Sequence, residues 1–218
     1  MTTLVIGASG STGKHLVDQL LQSNQQVKVI VRSPEKLPES WKTNKQLSIF
    51  QANISEITVD EMAKYVKDCN AIASCLGHSL TWQGIYGKPR KLVTDAVSLT
   101  CRAILKNAPN NPVKVVLMNT SGNRNRDLNE PNSVGERAAD YLRTKVGQEN
   151  NLIQWVAVRP DALINEDKVS EYQVFPSPTR SAFFNAGKVS RINVGHFMAK
   201  LITEKDLWAK WKGQMPVI

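Results

Sequence analysis

Cysteine is scarce in this chain. Only Cys69, Cys75 and Cys101 occur among 218 residues, an odd number with no C-x-x-C spacing. That argues against a disulfide framework and a zinc site, and for a reducing compartment. Long apolar runs are also missing. Val29-Ile30-Val31 and Val115-Val116-Leu117-Met118 are short, whereas a bilayer span needs ~20 such residues. The start carries no basic segment ahead of a long apolar core, since the chain enters Leu4-Val5-Ile6-Gly7 almost at once. The expectation is a cytoplasmic protein with no membrane partner. Glycine (12) and proline (10) are too few for a low-complexity chain.

What is present is globular in kind: 41% hydrophobic and 22% charged residues, in a length that suits one α/β domain. Lysine and arginine number 28 against 19 acids, a formal charge of +9. No run of five basic residues concentrates that charge. It reads first as solvated surface, second as a response to an anionic small ligand, and not as a nucleic-acid footprint.

Strand-like and helix-like segments alternate. Thr3 to Ile6, Val27 to Val31, Leu47 to Phe50, Ala71 to Leu76, Val113 to Met118 and Gln154 to Val158 read as strands. Between them, Leu16, Val17, Leu20 and Leu21 share a helical face, as do Val59, Met62, Ala63 and Val66. Further helical faces run through Leu92 to Ile104 and through Val134, Ala138, Leu142 and Val146. Six strands joined by helical crossovers predict a Rossmann-like, doubly wound parallel sheet with helices on both faces. The chain reads as a single domain, 1–218. After Pro160 the pattern loosens: Tyr172 to Phe175 is a candidate strand and Val194 to Ile202 a last helix. Residues from about 160 to 218 are expected to form a small extension on the substrate side.

The strongest motif is Gly7-Ala8-Ser9-Gly10-Ser11-Thr12-Gly13, at the junction of the first strand and first helix. Gly7 permits a tight turn, Gly10 lets backbone approach a pyrophosphate, and Gly13 permits close helix–strand packing. The helix start offers free N–H groups and partial positive charge to phosphates. Ser9, Ser11 and Thr12 add hydroxyls. A P-loop is excluded, because His15 stands where that motif needs Ser or Thr. The end of the second strand holds Arg32 and then Ser33, with Lys36 nearby. NAD binders place a carboxylate there to accept from the ribose hydroxyls. A guanidinium instead pairs with a 2′-phosphate, so the expected cofactor is NADP.

The G-x-x-G-x-x-G spacing and the later Arg159-Pro160 resemble the short-chain dehydrogenase/reductase superfamily. More narrowly, VIGASGSTG, VIVRSPEKL, VVLMNTSG with WVAVRPDAL, and RINVGHFM resemble its atypical NmrA-like and biliverdin reductase B/flavin reductase-like branch. The resemblance spans nearly the whole chain. It implies that Asn53 and Ile54 lie at the adenine, and that Leu76 and Gly77 face the ribose and pyrophosphate. Ala52-Asn53 departs from the Gly-Asp often found in relatives. It also implies that Ser121 contacts cofactor and substrate; a bare Ser-Gly turn at Ser121-Gly122 is the equal alternative. Pro160-Asp161-Ala162 stands where that branch carries a His.

Tyr141-Leu142-Arg143-Thr144-Lys145 matches the Y-x-x-x-K proton-donor pattern of short-chain enzymes literally. It lies only 18 residues before Arg159, too near by that resemblance, and reads better as part of a buried helical stripe. His78, after the fourth strand, is a candidate proton donor or substrate-positioning residue, set against an idle loop histidine. His196 reads as structural. The loop from Gly77 to Pro89 carries Trp82, Tyr86 and Lys88, which with Arg90 suit a wall for a flat acceptor. Trp208 and Trp211 read as a packing clasp or a dimer contact.

Two functions follow. One is an NADPH-dependent reductase passing hydride to a planar small-molecule acceptor such as a flavin or quinone. The other is a catalytically inactive NADP(H) sensor. No metal is implied, and the oligomeric state is open between monomer and homodimer.

Overall fold

The structure is a computed structural model that describes residues 1–77, 92–121, 137–181, 185 and 187–218. Strands β1 (Thr2–Ile6), β2 (Gln26–Val31), β3 (Leu47–Gln51), β4 (Ala71–Ser74), β5 (Val113–Met118) and β6 (Ile153–Val158) form one sheet in the order β3-β2-β1-β4-β5-β6. Every neighbouring pair is parallel. The chain therefore winds outward twice from β1, and all six carboxyl ends share one edge. The expected doubly wound α/β architecture is the observed one.

Period-two alternation divides each strand between two cores. Val5, Val29, Ala73, Val116 and Val156 face one side and meet Leu16, Val17 and Leu20 of α1 (Ser11–Gln22). Leu4, Ile30, Ile72, Val115 and Trp155 face the other. There they meet Met62 of α3 (Val59–Val66), Val97 and Ile104 of α4 (Leu92–Asn107), and Ala138 and Ala139 of α5 (Arg137–Tyr141). Each such large side chain contributes about 1.5–3 kcal/mol by leaving water. The short α2 (Glu39–Lys42) buries Trp41, whose indole N–H donates to Asp18 Oδ1 at 2.7 Å.

Several expectations from the sequence are corrected. The fourth strand stops at Ser74, not Leu76. Only part of the helix foreseen through Val134 to Val146 is described. That part is α5 followed by a π-helical turn, Leu142–Val146, closed by Gly147 at φ 76°. Tyr172 to Phe175 is not a strand: it makes one bridge, Phe175 to Val217, because its partner is a chain end rather than a neighbouring strand. Two three-residue strands, β7 (Ala162–Ile164) and β8 (Lys188–Ser190), pair in parallel. They lead into α6 (Arg191–Thr203) and α7 (Lys205–Trp211).

Residues 213–218 run beside β6, with Gly213 N–H donating to Trp155 O, Ala157 N–H to Gln214 O and Arg159 N–H to Pro216 O. The buried Arg159 guanidinium adds bonds to the carbonyls of Met215 (2.7 Å) and Pro176 (3.2 Å). Trp208 and Trp211 are buried in the α1-side core and so act as the clasp.

Candidate functional site

Because the sheet is wholly parallel, Gly7, Arg32, Asn53, Leu76, Ser121 and Asp161 all leave their strands on the same edge. Gly7 has φ 78°, and a Cβ there would stand 2.8 Å from the Cys75 carbonyl carbon. A Cβ on Gly13 would overlap the Gly7 carbonyl oxygen and lie 2.9 Å from Ala8 Cα. These two positions require glycine on steric grounds. Gly10 closes the turn through its N–H to Gly7 O (3.0 Å) and caps α1 with extended backbone. Among the described residues no side chain caps that helix, whereas Thr58 and Ser190 cap α3 and α6 through their hydroxyls. The first N–H groups of α1 are thus left for a ligand, and the loop fits a pyrophosphate. Ser9 and Ser11 are exposed on it, while Thr12 is buried beneath.

A cleft of about 140 Å³ opens beside the loop. Gly7, Ser9, Arg32, Asn53, Ile54 and Leu76 line it, together with Ala52, Ser55 and Leu92. Ile30, Ile54 and Leu76 give it apolar walls suited to a flat base. Arg32 is exposed at its mouth, and among the described residues no carboxylate pairs with its guanidinium. Its carbonyl accepts from Gln51 Nε2 at 3.4 Å. Asn53 is partly engaged. Its Oδ1 accepts from the Ser55 hydroxyl (2.8 Å) and its Nδ2 donates to Glu56 Oε1 (2.7 Å). The local turn thus uses an acceptor that the sequence had assigned to adenine. A Cβ on Gly77 would touch nothing within 4 Å, so packing does not impose that glycine.

Ser121 is half-buried, and its N–H donates to Pro160 O at 2.9 Å, tying the ends of β5 and β6 together. His78, Gly122, Trp82, Tyr86, Lys88 and Arg90 lie outside the described residues. Tyr141 packs half-buried against the α3–α4 core while Lys145 is exposed. Tyr172 is no ready acid either. Burial pushes its phenol up to about 12, and its hydroxyl is hydrogen-bonded to His196 Nδ1 at 2.8 Å. Cys75, below the loop, is fully enclosed, and burial pushes its thiol up to about 12. It is a packing group rather than a nucleophile.

Among the described residues no cluster of His, Cys, Asp or Glu is arranged to hold a metal. None of their helices is long and apolar enough to cross a membrane. Sequence reasoning gave Asp161 no role. It stands where the resembled branch has a histidine, and no motif marks it.

A family model described as NAD(P)H-binding matches residues 7–205. An uncharacterised chloroplast protein of Arabidopsis thaliana is 38% identical over 71 residues, 33% of this chain and 25% of its own length. The chain therefore aligns with about a quarter of that relative. Among solved structures, the oxidoreductase ylbE of Lactococcus lactis superposes with a TM-score of 0.72 at 18% identity, covering 100% of this chain and 90% of that one. A short-chain dehydrogenase/reductase of Veillonella parvula in complex with NADP gives 0.69 at 16% identity, over 99% and 93%. A candidate NADH-flavin reductase of Streptococcus pneumoniae gives 0.67 at 18% identity, over 100% and 98%. At such identities the likeness is one of fold.

Proposed function

The chain belongs to the NAD(P)H-binding family, and from that premise we propose that it is an NADPH-dependent reductase of the atypical short-chain type. The acceptor is a planar small molecule such as a flavin or quinone. When bound, the dinucleotide supplies a hydride. The Gly7–Gly13 turn and the open start of α1 hold its diphosphate by backbone N–H groups. The Ile54–Leu76 cleft takes the base. Arg32 pairs with the 2′-phosphate through parallel N–H bonds. Ser121, fixed through Pro160, orients the acceptor at the carboxyl edge.

The observation that carries the reading is Arg32 at the mouth of the cleft that Gly7 and Ser9 also line. A carboxylate there would repel the extra phosphate. The Veillonella parvula enzyme in complex with NADP and the candidate NADH-flavin reductase share this fold, which suits a nicotinamide dinucleotide of either kind. Arg32→Glu is expected to weaken NADPH about 100-fold and NADH by less than about 3-fold in calorimetric titration. Equal loss of both would remove the preference. The alternative is a catalytically inactive NADP(H) sensor; the packing of Tyr141 against the core takes it from a donor role that neither a flavin reductase nor a sensor needs. NADPH oxidation with a panel of flavins and quinones decides between the two.

A further inference from the structure

A second hollow, of about 570 Å³, lies past the carboxyl end of β6, within the size range of small-molecule sites. Ile164, Tyr172, Phe175 and Val189 supply its apolar surface, and Ser170, Gln173 and Asn193 are among the polar side chains that line the rest. Asp161 enters it from a tightly held stretch of backbone. Its N–H donates to Ile218 O (2.8 Å), the next N–H, of Ala162, donates to Gly187 O (3.0 Å), and the preceding carbonyl, of Pro160, accepts from Ser121. The side chain is treated differently. It is half-buried, yet neither a hydrogen bond nor an ion pair engages its carboxylate among the described residues. A fixed backbone that presents an unpaired carboxylate to a hollow suits a ligand that supplies hydrogen-bond donors to it. Gly187 makes the room: a Cβ there would overlap Asp161 Oδ2.

Four other charges border the hollow, Glu166, Glu171, Arg180 and Lys188, and all four are exposed. They are two of each sign and screened by water. Of the five charged side chains that line the hollow, Asp161 is the one half-buried rather than exposed, and it stands one residue beyond the carbonyl that Ser121 grips.

The geometry points to Asp161 as the residue that selects the acceptor: the hollow takes an uncharged planar acceptor bearing hydrogen-bond donors and turns away one bearing a phosphate. This deepens the reductase reading above and rests on it. Rejection by an unpaired like charge is a standard source of specificity. The overall reaction, NADPH plus a proton plus flavin giving NADP⁺ plus dihydroflavin, balances without another oxidant.

Riboflavin and FMN form the matched pair that tests it, since they share the ring and differ by one phosphate. Each is titrated by its own fluorescence against the protein saturated with NADP⁺, and then used as acceptor in NADPH oxidation. Wild type is expected to bind riboflavin at least about tenfold more tightly than FMN, with the ratio falling as salt rises. Asp161→Asn should bring the ratio near unity, chiefly by improving FMN. Gly187→Ala, which displaces the carboxylate while keeping its charge, should weaken riboflavin several-fold and leave FMN excluded.

Equal affinity for the two flavins in wild type would overturn the inference. So would a ratio unchanged in folded Asp161→Asn, or no binding of either flavin up to its solubility limit. If the binding ratio and its dependence on Asp161 hold but no NADPH is oxidised, the reductase reading fails and the acceptor-selecting role of Asp161 stands.

Discussion

Two strand-to-helix junctions, β1–α1 in the six-stranded sheet and β8–α6 in the two-stranded one, handle their helix N-termini in opposite ways. At β8–α6 the chain passes from strand to helix without a loop, and the buried Ser190 hydroxyl accepts from Asn193 N–H at 3.3 Å. At β1–α1 four residues intervene, Gly10 occupies the cap position, and among the described residues no side chain caps the helix. The first junction satisfies its own donors and serves packing. The second leaves them to an outside anion and, with glycine at the cap, gives up only about a few tenths of a kcal/mol relative to a capping side chain. The two helices nevertheless depend on each other. A Cβ on Gly195 of α6 would press to 2.9 Å from Leu16 N in α1, so the capped helix acts as a rigid backstop for the open one.

The contrast breaks most severely at Gly13. An added methyl meets backbone at Gly7 and Ala8, which cannot swing aside as a flexible side chain can. Gly13→Ala should cost about 3 kcal/mol, lowering the melting temperature by about 6–12 °C and abolishing NADPH binding. A variant that melts like wild type would show that α1 does not approach the loop this closely.

Gly10→Asp converts the open junction into the capped kind. The new carboxylate would satisfy the helix donors and stand where the diphosphate is expected. Stability should stay within about 2 °C of wild type, while NADPH affinity falls about 100-fold by titration calorimetry. Undiminished affinity would place the diphosphate elsewhere. The reverse experiment is Ser190→Ala. Losing that cap should cost about 1 kcal/mol in thermal or urea unfolding, with NADPH affinity unchanged because the open junction is untouched.

The sequence made one junction far more legible than the other. Gly7 and Gly13 are visible because steric exclusion leaves a residue-type mark, and Arg32 is visible because the register from the glycines locates the end of β2. Five of the six strands are readable because they bury both faces, leaving runs rich in β-branched residues such as Val27 to Val31, whereas β3 at the sheet edge holds no buried residue. Their order β3-β2-β1-β4-β5-β6 is a matter of long-range pairing that no local pattern carries. Strands β7 and β8 are three residues each, too short for a period to register. Phe175 finds its partner at Val217, more than forty residues on, for which the sequence offers no signal. Asp161 is marked in the sequence only by the histidine it replaces, because what sets it apart is the bonds its side chain does not make, a property of the folded chain.

The mildest test of the backstop concerns His196, the neighbour of Gly195. Its Nδ1 is hydrogen-bonded to the Tyr172 hydroxyl, and burial, helped by Lys200 and opposed by Glu204, holds its pKa below the ordinary 6.5. With the folded value the lower of the two, the unfolded chain takes up the proton first as pH falls. The histidine therefore lowers stability progressively from about pH 6.5 down to its depressed folded value, and has no further effect below that. Urea unfolding across pH 5–8 should show that decline in wild type and a shallower one in His196→Gln. NADPH affinity should follow the same pH trend only weakly, because Gly195, not the ring, supports α1. Identical pH profiles in the two proteins would mean that the imidazole is not desolvated by the α6 packing, and that the Tyr172 contact adds nothing to the rigidity behind the open junction.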